Sequence, residues 1–171
     1  MNFEEKKRVL SVAEKLDSAF PSIYPAQFLE AWKDYPEGQL LKELRTQLDY
    51  PQKDIAKEIG ISAPALSNHE KRETVNHETA AKYLQILGID AWDYDVLRYA
   101  LSALPGYNLK KLLENPEQAI NKLKEEQEEQ AKNSKAVLIE GISGMLKELP
   151  QPAAMKAHEY VSMLYELENR K

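Results

Sequence analysis

The stretch that decides the fold runs from residue 52 to residue 68 and reads QKDIAKEIGISAPALSN. Its apolar spacing predicts two short helices that pack on each other, with Gly60 between them. Glycine enters the left-handed backbone region at little cost, so Gly60 suits a sharp turn at the end of the first helix. Ala56, one helical turn earlier, is small enough to let the second helix approach. The junction is filled by three larger apolar residues, Ile55, Ile59 and Leu66.

A serine marks the start of the second helix. Ser62 is typical of an N-cap, because its side chain can accept a hydrogen bond from the first turn. Pro64 then falls within that first turn, where the N–H that proline lacks would have had no intrahelical partner. This spacing of helix, glycine turn and capped helix is that of a helix-turn-helix, which favours DNA binding.

The surrounding residues, from Leu41 to Asp90, extend the pattern. The first helix would contain LKELR, the second and its turn QKDIAKEIGIS, the third ALSNHEK and the fourth AAKYLQILGID. On these segments the chain resembles the five-helix DNA-binding domain of the Cro/C1 phage repressor type, the XRE family. It departs from the family's pattern after the third helix, at His69, at Arg72, where the family has glycine, and at Asn76 and His77.

The resemblance implies that the helix after Ser62 enters the major groove with its first residues against base edges. Asn68 would make a bidentate contact, typically with adenine. Ser62 and Ser67 would bond bases or phosphates without strong preference. Ala63 and Pro64 would offer apolar contact to a thymine methyl group.

Three further residues would hold the phosphate backbone. In the family's arrangement Gln52 would bond a phosphate together with the amides at the start of its helix. Lys71 and Arg72 would hold the backbone beyond the recognition helix. These contacts would position the protein on DNA, and the recognition helix would supply the sequence preference.

The charge balance is unusual for a nucleic-acid binder. The chain has a formal net charge of −5, and between residues 39 and 90 seven Lys or Arg residues oppose eight Asp or Glu residues. Much of the excess acid lies at 114–131, so it can be separate from the DNA-binding face. A nearly neutral domain implies modest affinity per copy, and linking two copies would multiply it. Dimerisation is therefore expected.

Composition excludes several other classes of protein. With no Cys, the chain has no disulfide and no thiolate zinc site, which fits a reducing cytoplasm. No apolar run reaches the roughly 18 residues that a membrane span needs. The three histidines lack the spacing of a helical metal site, and no phosphate-binding loop or nucleophile motif occurs. We expect a soluble cytoplasmic protein that is not an enzyme and has no metal, cofactor or membrane contact.

The whole chain predicts an all-α protein with four segments. These are an N-terminal helical leader at 1–37, the helix-turn-helix domain at 38–104, a charged helical linker at 105–133 and a C-terminal helical hairpin at 134–171. In the leader, an apolar stripe of Phe3, Leu10, Ala13, Leu16 and Phe20 predicts one helix, and a second is expected near 25–32. We expect the leader to pack on the core or on the C-terminal helices, and the alternative is a ligand or partner site. The linker is either a weak coiled coil or a solvated helix.

The hairpin has two apolar faces separated by Pro150 and Pro152. A hairpin of about 35 residues cannot bury such faces alone, so it must dock on the body of the protein or on another copy. We expect a homodimer formed through these C-terminal helices. A further protein or peptide partner stays unspecified.

Two classes of function follow. In the first, the protein is a sequence-specific regulator that binds double-stranded DNA, as a homodimeric repressor of phage, mobile-element or antitoxin type. In the second, the helix-turn-helix is a scaffold for protein–protein interaction, an anti-repressor or adaptor. The near-neutral charge and the absence of a glycine at Arg72 favour the second class, and the length of the family resemblance favours the first.

Overall fold

The structure is a computed structural model, and it describes residues 1–19 and 35–126 together with 128, 129, 132 and 133. Every regular element among these residues is a helix, which confirms the all-α fold class. The predicted hairpin at 134–171 and the second leader helix near 25–32 lie outside the described residues. None of the described helices is long and apolar enough to cross a membrane.

The helices of the described part are numbered in chain order. They are α1 (Phe3–Ala19), α2 (Glu37–Gln47), α3 (Gln52–Ile59), α4 (Ala63–His69), α5 (His77–Leu87), α6 (Ala91–Ala103) and α7 (Leu109–Glu114). Residues 116–124 are also helical. All of these elements belong to one compact unit, Met1–Lys124, and Glu125–Lys171 form a second unit.

Short polar side chains fix where three of the helices begin. Asn76 accepts hydrogen bonds from the first turn of α5, Asp90 from the first turn of α6 and Asn108 from the first turn of α7. Each cap gives a partner to an N–H that the helix itself leaves unpaired, which stabilises the helix by about 1 kcal/mol. The helices of this unit therefore start at residues set by local sequence.

The N-terminal helix α1 packs along α6 and also contacts α7. Its buried residues are Val9, Val12, Ala13 and Leu16. The expectation that Phe3 lies on this stripe is wrong, since its side chain is 69% exposed. Phe3 comes six residues before Val9, which turns it about 120° away from the buried face at 3.6 residues per turn.

The helices between residues 37 and 87 share a core. α3 packs on α4 and α5, while α2 packs on α5 and α7. The buried residues of this core include Leu44, Ile55, Leu66, Leu84 and Leu87. Ile59 is partly buried against them. Ala56 is buried as well, so the close approach of α3 and α4 over a small residue is confirmed.

Candidate nucleic-acid interface

The turn between α3 and α4 has the geometry that its sequence predicts. Gly60 ends α3 with φ 86° and ψ 30°, in the left-handed region. The Gly60 N–H donates to the carbonyl oxygens of Ala56 and Lys57, and the Ile61 N–H donates to that of Ala56 at 2.9 Å. These bonds satisfy carbonyl groups that the end of a helix would otherwise leave open. The chain therefore turns directly from α3 into α4.

Ser62 caps α4, as predicted. Its backbone is extended, with φ −76° and ψ 152°, and its Oγ accepts a hydrogen bond from the Ala65 N–H at 3.2 Å. Pro64 occupies the first turn without interrupting the helix, because no intrahelical bond is lost there. The two residues together fix the direction in which α4 leaves the turn.

The first turns of α4 present the predicted base-reading side chains at the surface. Ser62, Pro64 and Asn68 are exposed, and Ala63 and Ser67 are partly exposed. Leu66, on the inner side of the helix, has no exposed surface. The helix is thus anchored by an apolar side chain and offers small and polar groups outward.

A buried carboxylate follows the last residue of α4. Glu70 is 5% exposed and is bonded to three other helices. Arg45 of α2 donates to it from Nε at 2.8 Å and from Nη2 at 3.2 Å. Gln52 of α3 donates from Nε2 at 2.8 Å, and Tyr83 of α5 donates from its hydroxyl at 2.6 Å. One side chain therefore connects the end of α4 to α2, α3 and α5.

These donors keep Glu70 ionised. Burial alone would raise the pKa of Glu70, but the hydrogen bonds from Arg45, Tyr83 and Gln52 hold it below its usual value. Burial, together with the Glu70 charge, raises the pKa of Tyr83, so its hydroxyl remains a donor at neutral pH. Breaking a buried ion pair by removing one partner typically costs about 3–5 kcal/mol. The cluster therefore connects the end of α4 to α2, α3 and α5, and removing one of its charges should be destabilising.

Gln52 begins α3, where the resemblance expects a phosphate contact. Its side chain is partly buried, and one N–H of its amide is bonded to Glu70. A primary amide has a second N–H, which this bond does not use. The Glu70 bond fixes the orientation of the amide, and a phosphate contact would use the remaining N–H.

The loop after α4 is bonded to the start of α2. The Gly38 N–H donates to the carbonyl oxygen of Arg72 at 3.1 Å, and the Glu37 N–H donates to that of Glu73 at 2.9 Å. The Glu37 side chain also accepts, through Oε2, the Val75 N–H at 2.6 Å. The backbone of this loop is thus held along its length, while the Lys71 and Arg72 side chains are exposed.

The contact between α2 and this loop requires a glycine. A Cβ on Gly38 would lie 2.2 Å from the carbonyl oxygen of His69 and 2.9 Å from that of Arg72. Such contacts with backbone atoms cannot be relieved by a side-chain rotation. The close approach between the two backbones is therefore made by Gly38, while Arg72 contributes its carbonyl oxygen.

Arg98 of α6 is bonded to Glu37, the residue whose carboxylate also accepts the Val75 N–H of the loop. This buried guanidinium donates from Nη1 to Glu37 Oε1 at 2.7 Å and from Nε to the Tyr35 carbonyl oxygen at 3.0 Å. The two oxygens of Glu37 are therefore shared between Arg98 and the Val75 N–H. Through this carboxylate, α6 positions the backbone that follows α4.

Sequence reasoning missed the residues that support the site, Glu37, Gly38, Glu70 and Arg98. A signal for Glu70 exists, because it lies four residues after Leu66 and so shares its inner face. A glycine in the first turn of a helix can likewise mark a close backbone approach. The pair of Glu37 and Arg98 has no such signal, since 61 residues separate its members.

Metal binding has no support in the part of the chain that the structure describes. No group of three or more His, Asp or Glu side chains there could hold an ion. Nδ1 of His69 is buried and has no hydrogen-bond partner among these residues. The neighbouring Glu70 differs, because its buried carboxylate accepts hydrogen bonds from three helices.

Two short helices joined through a left-handed glycine, with polar residues on the exposed start of the second, define a helix-turn-helix. The family model for the helix-turn-helix matches residues 41–91. This segment is therefore a Cro/C1-type helix-turn-helix domain of the XRE family, and it marks the chain as a DNA-binding regulator. No curated protein and no solved structure matches the chain. α1 and α7 lie outside the matched segment, and nearly all of α6 does.

Proposed function

We propose that this chain is a sequence-specific transcriptional regulator that binds double-stranded DNA as a homodimer, as a repressor of the phage, mobile-element or antitoxin type. The observation that carries the proposal is the exposed start of α4. Ser62, Pro64 and Asn68 are exposed there, while Leu66 and Glu70 anchor the same helix inside the protein. A rigid support of this kind is what precise base contacts require.

In this proposal α4 reads bases in the major groove. The amide of Asn68 accepts from N6 and donates to N7 of one adenine, which discriminates against the wrong base by about 1–3 kcal/mol. Ser62 and Ser67 bond bases or phosphates, depending on the sequence that faces them. Ala63 and Pro64 have no polar side-chain group, so they favour thymine methyl groups over exposed polar edges.

Phosphate contacts then position the domain. Gln52 contributes its second amide N–H and the start of α3, and Lys71 and Arg72 contribute their exposed cationic side chains. The backbone carbonyl of Arg72 is bonded to α2, so binding requires ordering of the exposed side chains but little ordering of this backbone. Contacts of this kind add affinity for DNA of any sequence.

The charge balance supports dimeric binding. The helix-turn-helix segment is nearly neutral, so one copy neutralises few phosphates. A second copy bound to the same DNA raises the effective concentration at its half-site. The apolar faces predicted for 134–171 supply a means of pairing the copies.

A selection experiment separates a regulator from a protein-binding scaffold. The full chain is incubated with a pool of random double-stranded DNA, and the bound molecules are amplified and sequenced. A dimeric regulator should enrich one motif in two copies, spaced by about one helical turn of 34–36 Å or a multiple of it. A scaffold would enrich no motif, and that result would overturn the proposal.

Asn68→Ala tests which helix reads the bases. It should weaken binding to the selected site by about 1–3 kcal/mol per half-site, with the base preference relaxed at one position. Asn121→Ala is a matched control, because Asn121 is also exposed on a helix but lies outside the matched domain. Gln52→Ala should instead weaken binding to all sequences similarly. Unchanged affinity and preference for Asn68→Ala would show that α4 is not the reading helix.

A further inference from the structure

A surface groove lies between α2, Lys71 of the loop after α4, and the start of α7. Its volume is about 600 Å³. Three lysines line it, Lys42 from α2, Lys71 from the loop after α4 and Lys110 from α7. They come from separate elements, and Lys110 lies outside the matched domain.

The two carboxylates of the groove are already engaged. Glu43 accepts from the Tyr35 hydroxyl at 2.9 Å, from Gln39 Nε2 at 2.9 Å and from the Leu109 N–H at 2.8 Å. Glu70 is bonded to Arg45, as described above. Their lone pairs are thus directed into internal hydrogen bonds, and the charge of Glu70 is also paired with that of Arg45. The charge of Glu43 remains in the groove, where the three lysines outnumber it.

The lysines themselves have few partners. Lys42 and Lys71 form no ion pair within the described ranges 1–19 and 35–126. Lys110 has one weak pair, with Glu114 at 4.0 Å, and its side chain is 76% exposed. An exposed pair at this distance stabilises a protein by less than about 1 kcal/mol. The groove therefore presents three cations that another anion could engage.

The start of α7 is fixed to α2. Glu43 bonds the Leu109 N–H, and Asn108 Oδ1 accepts the Lys111 N–H at 2.9 Å. These acceptors occupy the Leu109 and Lys111 N–H groups at the helix start, so the positive character of the groove comes mainly from the lysine side chains. Lys110 is consequently held next to the loop that follows the recognition helix.

We propose that this groove holds the phosphate backbone of DNA that flanks the bases contacted by α4. Lys42 and Lys110 add to the backbone contact expected of Lys71. The inference rests on the proposed function. Three lysines along an open groove suit an extended polyanion, and Lys71 follows the last residue of α4 by two positions. The helix-turn-helix segment has no excess of cations, so the charge of Lys110 on α7 adds to its affinity for DNA phosphates.

The salt dependence of DNA binding by the full chain tests the inference. Dissociation constants for the selected double-stranded site, with flanks, are measured by fluorescence anisotropy at several salt concentrations. Lys110→Gln and Lys42→Gln should each lower the slope of log affinity against log salt by about 0.9, the change for one lost phosphate contact. Their thermal melting curves should match the wild type, because both side chains are exposed.

Lys7→Gln is the matched control. It removes the same charge from an exposed position on α1, where Lys7 pairs with Glu4 at 3.1 Å. The control should keep the wild-type slope. On a duplex shortened to the bases contacted by α4, Lys110→Gln should also match the wild type, because the flanking phosphates are then absent.

Three outcomes would overturn the inference. If the wild-type chain binds no DNA, the proposed function fails and this inference fails with it. If the wild type binds DNA, and both groove variants keep its slope, this inference alone fails. Inorganic phosphate that raises the melting temperature of the wild type but not of Lys110→Gln, with unchanged DNA slopes, would make the groove a small-anion site instead.

Discussion

Gly60 sets the angle between α3 and α4 through its backbone. It lies at φ 86°, and a Cβ built there would meet no atom within 4 Å. Space is therefore available for a side chain, and any penalty for substitution comes from the left-handed conformation alone. This separates Gly60 from Gly38, where contact with backbone atoms excludes a side chain.

Gly60→Val should lower the stability of the domain by about 2 kcal/mol or more, because a β-branched residue is strained at positive φ. Thermal unfolding followed by circular dichroism measures the effect. Gly60→Asn is the control, since asparagine tolerates the left-handed region, and it should have a smaller effect. An unshifted melting curve for the valine variant would contradict the assigned turn.

Asp95 of α6 makes stability depend on pH. Burial raises its pKa from 3.8 to about 6, with Arg98 opposing the shift and Glu37 adding to it. Its stabilising contribution is therefore fully present below about pH 4 and is lost as the pH rises through 6. Above that range the ionised carboxylate opposes folding.

Asp95→Asn should accordingly be more stable than the wild type at pH 7.5, by on the order of 1 kcal/mol after allowance for partial exposure. The difference should disappear below about pH 3, where the wild-type carboxyl is protonated in both the folded and the unfolded state. Urea unfolding at the two pH values measures it. Equal stability of the two proteins at pH 7.5 would contradict the prediction.

Among the elements, the loop after α4 depends most on contacts from elsewhere in the chain. Its Val75 N–H is bonded to Glu37 of α2, and Glu37 is in turn bonded to Arg98 of α6. Lys71 and Arg72 lie in this loop, so an ordered loop favours the phosphate contacts that we propose for them.

Glu37→Gln should loosen this loop. A glutamine side chain has one acceptor oxygen, so either Arg98 or the Val75 N–H loses its bond to residue 37, which costs about 1–3 kcal/mol. Amide hydrogen exchange at Val75 should become faster, and DNA affinity should fall. The control is Glu73→Gln, at an exposed position in the same loop. Unchanged protection of Val75 would show that Glu37 does not hold the loop.

Elements with local sequence signals could be predicted, but the residues of other helices that hold these elements in place could not. Gly60, Ser62 and Pro64 act within four residues of one another, so spacing alone predicts the turn and the cap, and the structure confirms both. The Glu70 cluster joins residues between 45 and 83. No period of a helix relates such residues, and only packing brings them together. The DNA contacts of α4 stay predictions, since they belong to a complex.

At the scale of the whole molecule, the DNA-binding domain is part of a larger core. The compact unit spans Met1–Lys124, whereas the family match covers residues 41–91. α1 packs on α6, and α7 packs on α2. The helices outside the matched segment therefore share in the stability of the domain.

Truncation after Lys132 tests the proposed dimer. The remaining chain should fold, because the compact unit ends at Lys124, but it should sediment as a monomer. DNA affinity should fall tenfold or more, or about 1.4 kcal/mol per factor of ten, through loss of bivalency. Full-length Asn68→Ala is the control, since it should bind more weakly and remain a dimer. A truncated protein that still dimerises would move the interface to the N-terminal leader or to the helix around the exposed Trp92.

The shared carboxylate of Glu37 bears on how this protein could be redesigned. A chimera that received only residues 41–91 would lack Glu37, Gly38 and Arg98, and its loop after α4 would lose those anchors. Exchanging the outward side chains of α4 would leave every anchor in place. The domain is therefore suited to retargeting by surface substitution, and a graft into another host should extend from Met1 to Lys124.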